Sequence, residues 1–198
     1  MPDSSSDIFV SFKSMIHHFE KIDDDNLRHT FERMKILKLE KNSFLLRSNE
    51  VCKYLYFIVD GLGRTFYITK TGQDKTRRIA LDGHILTVLQ SFSRQEPSIE
   101  SIQILEDSLV LAMHRDVFFG NIAKYPAWDR FYRKILEEAF IFQNRKIEHH
   151  VTLTAQERFD LLLESTPEYL QRLSNKVLAS LLDVREETLS RLKSKSRF

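Results

Sequence analysis

Glycine is scarce in this chain: five residues in 198, all lying between Gly61 and Gly120. A glycine-rich phosphate loop of the dinucleotide or nucleoside-triphosphatase type is therefore excluded, because such a loop needs small residues where backbone meets phosphate. Cysteine is scarcer still. Cys52 stands alone, which rules out a disulfide framework, a structural thiolate zinc site and a four-cysteine iron–sulfur cluster within one chain. No apolar run approaches the roughly 20 residues that span a bilayer. The start, Met1 to Asp7, is polar and acidic, unlike a secretory leader. A cytoplasmic protein with no membrane partner is expected. Charge of one sign is lacking too, with 30 basic against 28 acidic side chains. Apolar residues are not lacking. They make up 42% of the chain, including 15 Phe, enough for a core and too many for a disordered chain.

Four of the five glycines (Gly61, Gly63, Gly72, Gly83) punctuate one stretch of short alternating runs. Tyr54 to Val59 is β-branched and aromatic, and Asp60-Gly61 after it reads as a turn. Arg64 to Lys70, Thr76 to Leu81, Ser98 to Ile104 and Ser108 to Met113 read as further strands, with Lys35 to Leu39 and Ser43 to Leu46 upstream. Many short strands separated by turns imply an antiparallel roll, sandwich or barrel.

The period changes after Pro126. No glycine follows Gly120, and no proline intervenes before Pro167. Ala127 to His150 reads as one long helix, with Pro126 suited to its first turn. Trp128, Tyr132, Ile135, Ala139 and Phe142 recur at heptad-like spacing and are expected to form a dimer seam. Phe131, Leu136, Phe140 and Ile141 lie off that seam, so the helix is apolar on two faces and must bury both. Thr154-Ala155-Gln156-Glu157 is a capping box that opens a later helix.

The most specific segment is Leu173 to Lys195. Ser174 caps a helix over Asn175 to Leu182, Asp183-Val184 forms a short turn, and a second helix runs from about Arg185 to Lys193. Leu178, Leu182, Val184, Leu189 and Leu192 fill a shared core, and Ala179 sits where the helices approach. The turn favours a positive φ, usually met by glycine; here Asp183 stands there. This is the pattern of a helix-turn-helix, whose second helix enters the major groove. From Arg185 onward five basic residues face two acidic ones. Candidate DNA contacts are Asn175, Lys176, Arg185, Glu186, Glu187, Thr188, Ser190, Arg191, Lys193 and Lys195, with Arg197 a further phosphate candidate. Arg191 can donate twice to a guanine, and Glu186 or Glu187 can accept from a cytosine amine. Lysines on phosphate position the protein without reading sequence.

A β-domain with glycine turns, a long dimer-type helix and a C-terminal helix-turn-helix together resemble the Crp/Fnr family of bacterial transcription regulators. Leu55 to Gly61, the Gly83 region with Ile104 to Ser108, and Leu173 to Lys193 carry the resemblance. Arg185-Glu186-Glu187-Thr188-Leu189-Ser190-Arg191 is similar to the family's recognition signature, with Glu186 replacing its first recognition arginine. The resemblance implies base-reading roles for Glu187 and Arg191, and places Arg185 and Thr188 near phosphate. The stretch from Pro167 to Leu173 is too short for the hairpin wing many members carry.

The expected fold class is α+β. It comprises an antiparallel β-roll or jelly-roll sensor domain over 1–125, a dimerisation helix over 126–150 and a helix-turn-helix domain over 151–198. Family members that bind cyclic AMP carry a glutamate for the ribose and an arginine for the cyclic phosphate. Here Gly83-His84-Ile85-Leu86 lacks the glutamate, and Glu96 to Glu100 lacks the arginine. No cyclic AMP binding is expected. Gly83, His84, Arg94 and Ser98 are the candidate effector cavity. No cofactor or metal is expected: His84 is a lone histidine, and the pairs His17-His18 and His149-His150 are adjacent rather than four apart. Expected partners are double-stranded DNA, a second copy of the chain, RNA polymerase and a small effector of unknown identity. An enzyme is not expected. The alternative is a ligand-sensing or protein-interaction module of the same fold without DNA binding.

Overall fold

A computed structural model of the chain describes residues 4–195; Arg197 lies outside the described residues. Two helices that sequence reasoning passed over come first. Ser4 caps α1 (Ser5–Phe19) by accepting the Asp7 amide, and Asp23 caps α2 (Asp24–Phe31) by accepting that of Asn26. A short side-chain oxygen can reach a first-turn amide in this way. Phe9, Phe12, Met15 and Ile16 lie on the buried face of α1.

The strands follow as β1 (Lys35–Leu39), β2 (Phe44–Leu46), β3 (Tyr54–Asp60), β4 (Gly63–Ile68), β5 (Asp74–Ala80), β6 (Ile85–Leu86), β7 (Ser101–Ile104) and β8 (Ser108–His114). They form two four-stranded sheets, ordered β1-β8-β3-β6 and β2-β7-β4-β5. The expected antiparallel β-sandwich is present. Strands β3 and β8 pair from Tyr54↔His114 to Ile58↔Val110, then slip before Asp60↔Leu109. Their middles, Leu55 to Val59 and Leu109 to Met113, are apolar and buried, as a sheet covered on both faces requires. The rings of Phe12 on α1 and Phe57 on β3 meet edge-on at 5.2 Å. Gly61 turns the chain at φ +119°, and a Cβ there would sit 2.0 Å from the Ser108 hydroxyl oxygen. Both conformation and space therefore demand glycine.

A short helix, α3 (Leu89–Arg94), lies between β6 and β7, and α4 (Arg115–Lys124) and α5 (Pro126–Thr152) follow the last strand. The start of α5 corrects the expected dimer seam. Trp128 is fully buried within the chain, and its indole N–H donates to Asn26 Oδ1 at 2.9 Å. Phe118 meets Trp128, Phe131 and Tyr132 edge-on. The Tyr132 hydroxyl lies 3.2 Å from Ser93 Oγ, and Ile135 packs against the same core. These three seam residues face the chain's own aromatic core, which has first claim on the start of the helix. Ala139 is half-buried and Phe142 is 41% exposed.

The chain divides into two compact units. One holds 1–67 with 77–136, and the other holds 68–76 with 137–198. The division falls inside α5, not at the helix ends near 125 and 150, and it groups the tip of the β4–β5 hairpin with the second unit. That unit contains α6 (Ala155–Ser165), α7 (Tyr169–Arg172), α8 (Asn175–Leu182) and α9 (Glu186–Lys195). Thr154 and Glu157 form the expected capping box. Its buried apolar residues include Phe159, Leu163, Leu173, Leu178, Leu189 and Leu192. A short helix, α7, occupies the stretch after Pro167. No described helix is long and apolar enough to cross a membrane.

Candidate functional site

The helix pair α8–α9 forms as its sequence dictates. Ser174 caps α8 by accepting the Val177 amide at 3.3 Å. Asp183 ends it in the left-handed region at φ +57°, ψ +45°, and the Val184 amide donates to the Ala179 carbonyl at 3.0 Å. Aspartate is among the few non-glycine residues that visit this region routinely. Ala179 is buried where the helices close on each other. Asp183 has a second role that no sequence motif announced: its carboxylate accepts from Lys75 Nζ on the hairpin. That hydrogen bond, with the lysine's positive charge, holds the carboxyl below its ordinary range against the opposing effect of burial. One helical turn before the end of α8, Ser180 Oγ accepts the Thr76 amide at 2.7 Å and lies 3.0 Å from the Asp74 carboxylate. Lys146 Nζ donates to the Thr76 carbonyl at 3.3 Å. Arg158 on α6 donates to the carbonyls of Leu153 and Leu182. Hairpin tip and α6 thus brace the helix pair within the second unit, and α5 in turn holds the hairpin.

The outer face of α9 is polar. Glu186, Glu187, Ser190, Arg191 and Lys195 are exposed, as are Arg185 just before the helix and Asn175 and Lys176 at the start of α8. Thr188 and Lys193 are half-buried. Lys193 Nζ donates to Asn175 Oδ1 at 2.6 Å, which joins the two helices' polar faces. Leu189 and Leu192 hold α9 inward, so Arg191 and Glu187, one turn apart, point away from the core. The sequence-selected residues therefore share one accessible surface.

The candidate effector residues are arranged differently. Gly83 sits at φ +78° in an open turn, and the His84 ring is turned onto the carbonyls of Leu81 and Asp82. Arg94 is exposed at the end of α3. Ser98 is buried, but its hydroxyl donates to the Glu100 carbonyl at 2.8 Å and accepts the Glu100 amide at 2.9 Å. Of the four, the side chains of His84 and Ser98 are engaged in local hydrogen bonds. A nearby carboxylate is the notable group here. Glu100 is 5% exposed and is ion-paired with Arg77. A cleft of about 500 Å³ opens elsewhere, where α1 and α2 meet β1.

Residues 36–125 match the cyclic nucleotide-binding domain family. No curated protein matches the chain by sequence. Several solved structures share its fold. The c-di-GMP responsive global regulator CLP of Xanthomonas campestris aligns with a TM-score of 0.71 at 13% identity, over 87% of this chain and 91% of that one. A proposed transcriptional regulator of the Crp/Fnr family from Eubacterium rectale aligns at 0.68 and 14%, over 86% and 82%. The catabolite activator protein of Thermus thermophilus aligns at 0.59 and 16%, over 91% and 85%. The chain has the fold of a Crp/Fnr-type regulator.

Among the described residues, one apolar surface stands exposed. Phe140, Ile147 and Val151 are 68%, 62% and 80% exposed along the later part of α5. Their spacings of seven and four place them on one stripe. That stripe lies off the expected seam, on the side of Leu136 and Phe140. No group of three metal-ligating side chains occurs among the described residues.

Proposed function

We propose that the chain is a sequence-specific DNA-binding transcription regulator, acting as a homodimer on a pseudo-palindromic operator. The observation that carries this reading is the accessible polar face of α9, with Arg191 and Glu187 one turn apart and braced from behind by Asp183. A helix presented in this way fits the major groove. Arg191 would read guanine, Glu187 would read cytosine, and Arg185, Lys176, Lys193 and Lys195 would hold phosphate. The exposed stripe Phe140–Ile147–Val151 would pair with that of a second copy, in place of the Trp128–Tyr132–Ile135 face that the core absorbs. Two recognition helices would then lie about 34 Å apart, one turn of DNA. The β-domain would serve as the sensor, for an effector other than cyclic AMP, and RNA polymerase would be the downstream partner. The whole is a regulator rather than an enzyme.

The reading is tested by selecting DNA from a random pool at two salt concentrations. Enrichment of an inverted repeat, weakened by salt and lost in Arg191→Ala, is expected. Failure to enrich any sequence at either salt would instead favour a sensing or protein-interaction module without DNA binding.

A further inference from the structure

Glu100 is a buried carboxylate within the β-domain. Strands β4 and β7 pair with Thr65 opposite Ile102. Ile102 and Ile104 belong to the core and are fully buried, and Thr65 is 3% exposed. Glu100 lies in the bend just before β7 and is itself 5% exposed. Its amide and carbonyl are both closed onto the Ser98 hydroxyl, which fixes the backbone that carries it. A carboxylate so buried needs a partner, because burial strongly disfavours an unpaired charge.

The partner comes from across the sheet. Arg77 lies on β5, at the edge of the order β2-β7-β4-β5. Its guanidinium reaches over β4, and Nη1 donates to Glu100 Oε1. The arginine side chain is 43% exposed while the glutamate's is 6% exposed. A cation thus enters from the rim and meets an anion held inside. The domain around them matches a cyclic nucleotide-binding family. A ligand of that chemistry brings an anionic phosphodiester, which a guanidinium binds well. In this chain the Arg77 guanidinium already holds an anion of the chain's own.

We propose that Glu100 is a built-in occupant of the sensor domain: its carboxylate takes on Arg77 the place of a ligand anion, and its removal opens a site for a small phosphate ester. The inference rests on the β-domain being the sensor part of the reading above. It does not require DNA binding, because its test reads ligand binding alone.

The test is calorimetric titration of the full chain with cyclic AMP as probe, in the native protein, Glu100→Ala, Glu100→Gln and the double variant Arg77→Gln/Glu100→Ala. Inorganic phosphate is titrated in parallel to separate binding of a bare anion from binding of the nucleotide. The native chain is expected to bind neither. Glu100→Ala should bind the probe at least about tenfold more tightly than the native chain, equivalent to ~1.4 kcal/mol, and the double variant should lose that gain. If Glu100→Ala fails to fold, as judged by circular dichroism, Glu100→Gln decides, since it removes the charge and keeps the size. Micromolar binding by the native chain, no gain in any folded variant, or a gain that survives loss of Arg77 would each overturn the proposal.

Discussion

Lys75 on the β4–β5 hairpin donates to the carboxylate of Asp183, the residue that turns α8 into α9. One side chain thus sets the turn and anchors the hairpin tip, and substitutions should separate the two roles. Asp183→Asn keeps a residue that tolerates a positive φ but loses the charge. Asp183→Gly relaxes the turn and loses the anchor. Asp183→Ala loses both, and should be destabilised by about 1–2 kcal/mol from the left-handed backbone alone. Chemical denaturation of the three variants would show Ala as the least stable.

The same pair carries a pH signature. Lys75 lowers the Asp183 carboxyl below its ordinary value. Its contribution is therefore complete above the ordinary carboxylate pKa of about 3.9, and is lost as pH falls through the lowered value. Asp183 is largely solvated, so the effect should be no more than about 0.5 kcal/mol. Lys75→Met should abolish that part of the acid dependence. An unchanged acid limb in a melting series would mean that the pair contributes nothing.

Trp128 is the only tryptophan, and its indole N–H is held by Asn26 inside the chain. Its emission should stay constant when the protein is diluted through the proposed dimer–monomer transition. Asn26→Ala leaves a buried donor unpaired and should lower stability by about 1–3 kcal/mol. A red shift on dilution would place the indole at an interface between copies.

Two faces of α5 should respond in opposite ways. Phe140→Asp with Ile147→Asp alters exposed positions and should yield a folded monomer, read by sedimentation, with a melting temperature close to that of the native chain at low concentration. Ile135→Asp puts a charge against the aromatic core and should lower the melting temperature first. Retention of the dimer in the Phe140/Ile147 variant would move the interface elsewhere.

Glu20, at the C-terminal end of α1, accepts from Lys134 at 2.8 Å and Arg130 at 2.9 Å. These bonds, that of Lys134 foremost, hold its carboxyl below the ordinary range. As a lowered carboxyl, it stabilises above its ordinary pKa and ceases to as pH falls through the lowered one. Glu20→Gln should cost about 0.5 kcal/mol at neutral pH and nothing in strong acid, as urea titrations at the two pH values would show.

Much of the fold was legible because local rules and tertiary structure agree. The turn at Gly61, the box at Thr154 and the cap at Ser174 each depend on neighbours within a few residues, and each stands where the sequence put it. The helix pair was legible for the same reason, down to Asp183 in the left-handed turn. Long-range choices were not legible. Heptad spacing correctly made α5 two-faced, yet spacing alone could not say which face the Phe118 cluster would take. Likewise, Lys75 and Asp183 are 108 residues apart, and Arg77 and Glu100 are joined only through the order of the strands. In the effector region the motif's absence was readable, but not the ion pair between Arg77 and Glu100. The helices α1 and α2 carry ordinary caps in Ser4 and Asp23, a signal that a fuller pass over the first thirty residues would have found.

The central claim is that α9 reads DNA as one half of a symmetric pair. The most direct test measures affinity for the selected inverted repeat against a copy with one half-site scrambled, using the native chain and Arg191→Ala. The account predicts that the native dimer binds the intact repeat tightly and the scrambled one far more weakly, and that Arg191→Ala loses about 1–3 kcal/mol per half-site together with the preference at one base pair. Equal affinity of the native chain for both DNAs, or an Arg191→Ala variant that binds and discriminates as the native chain does, would contradict it.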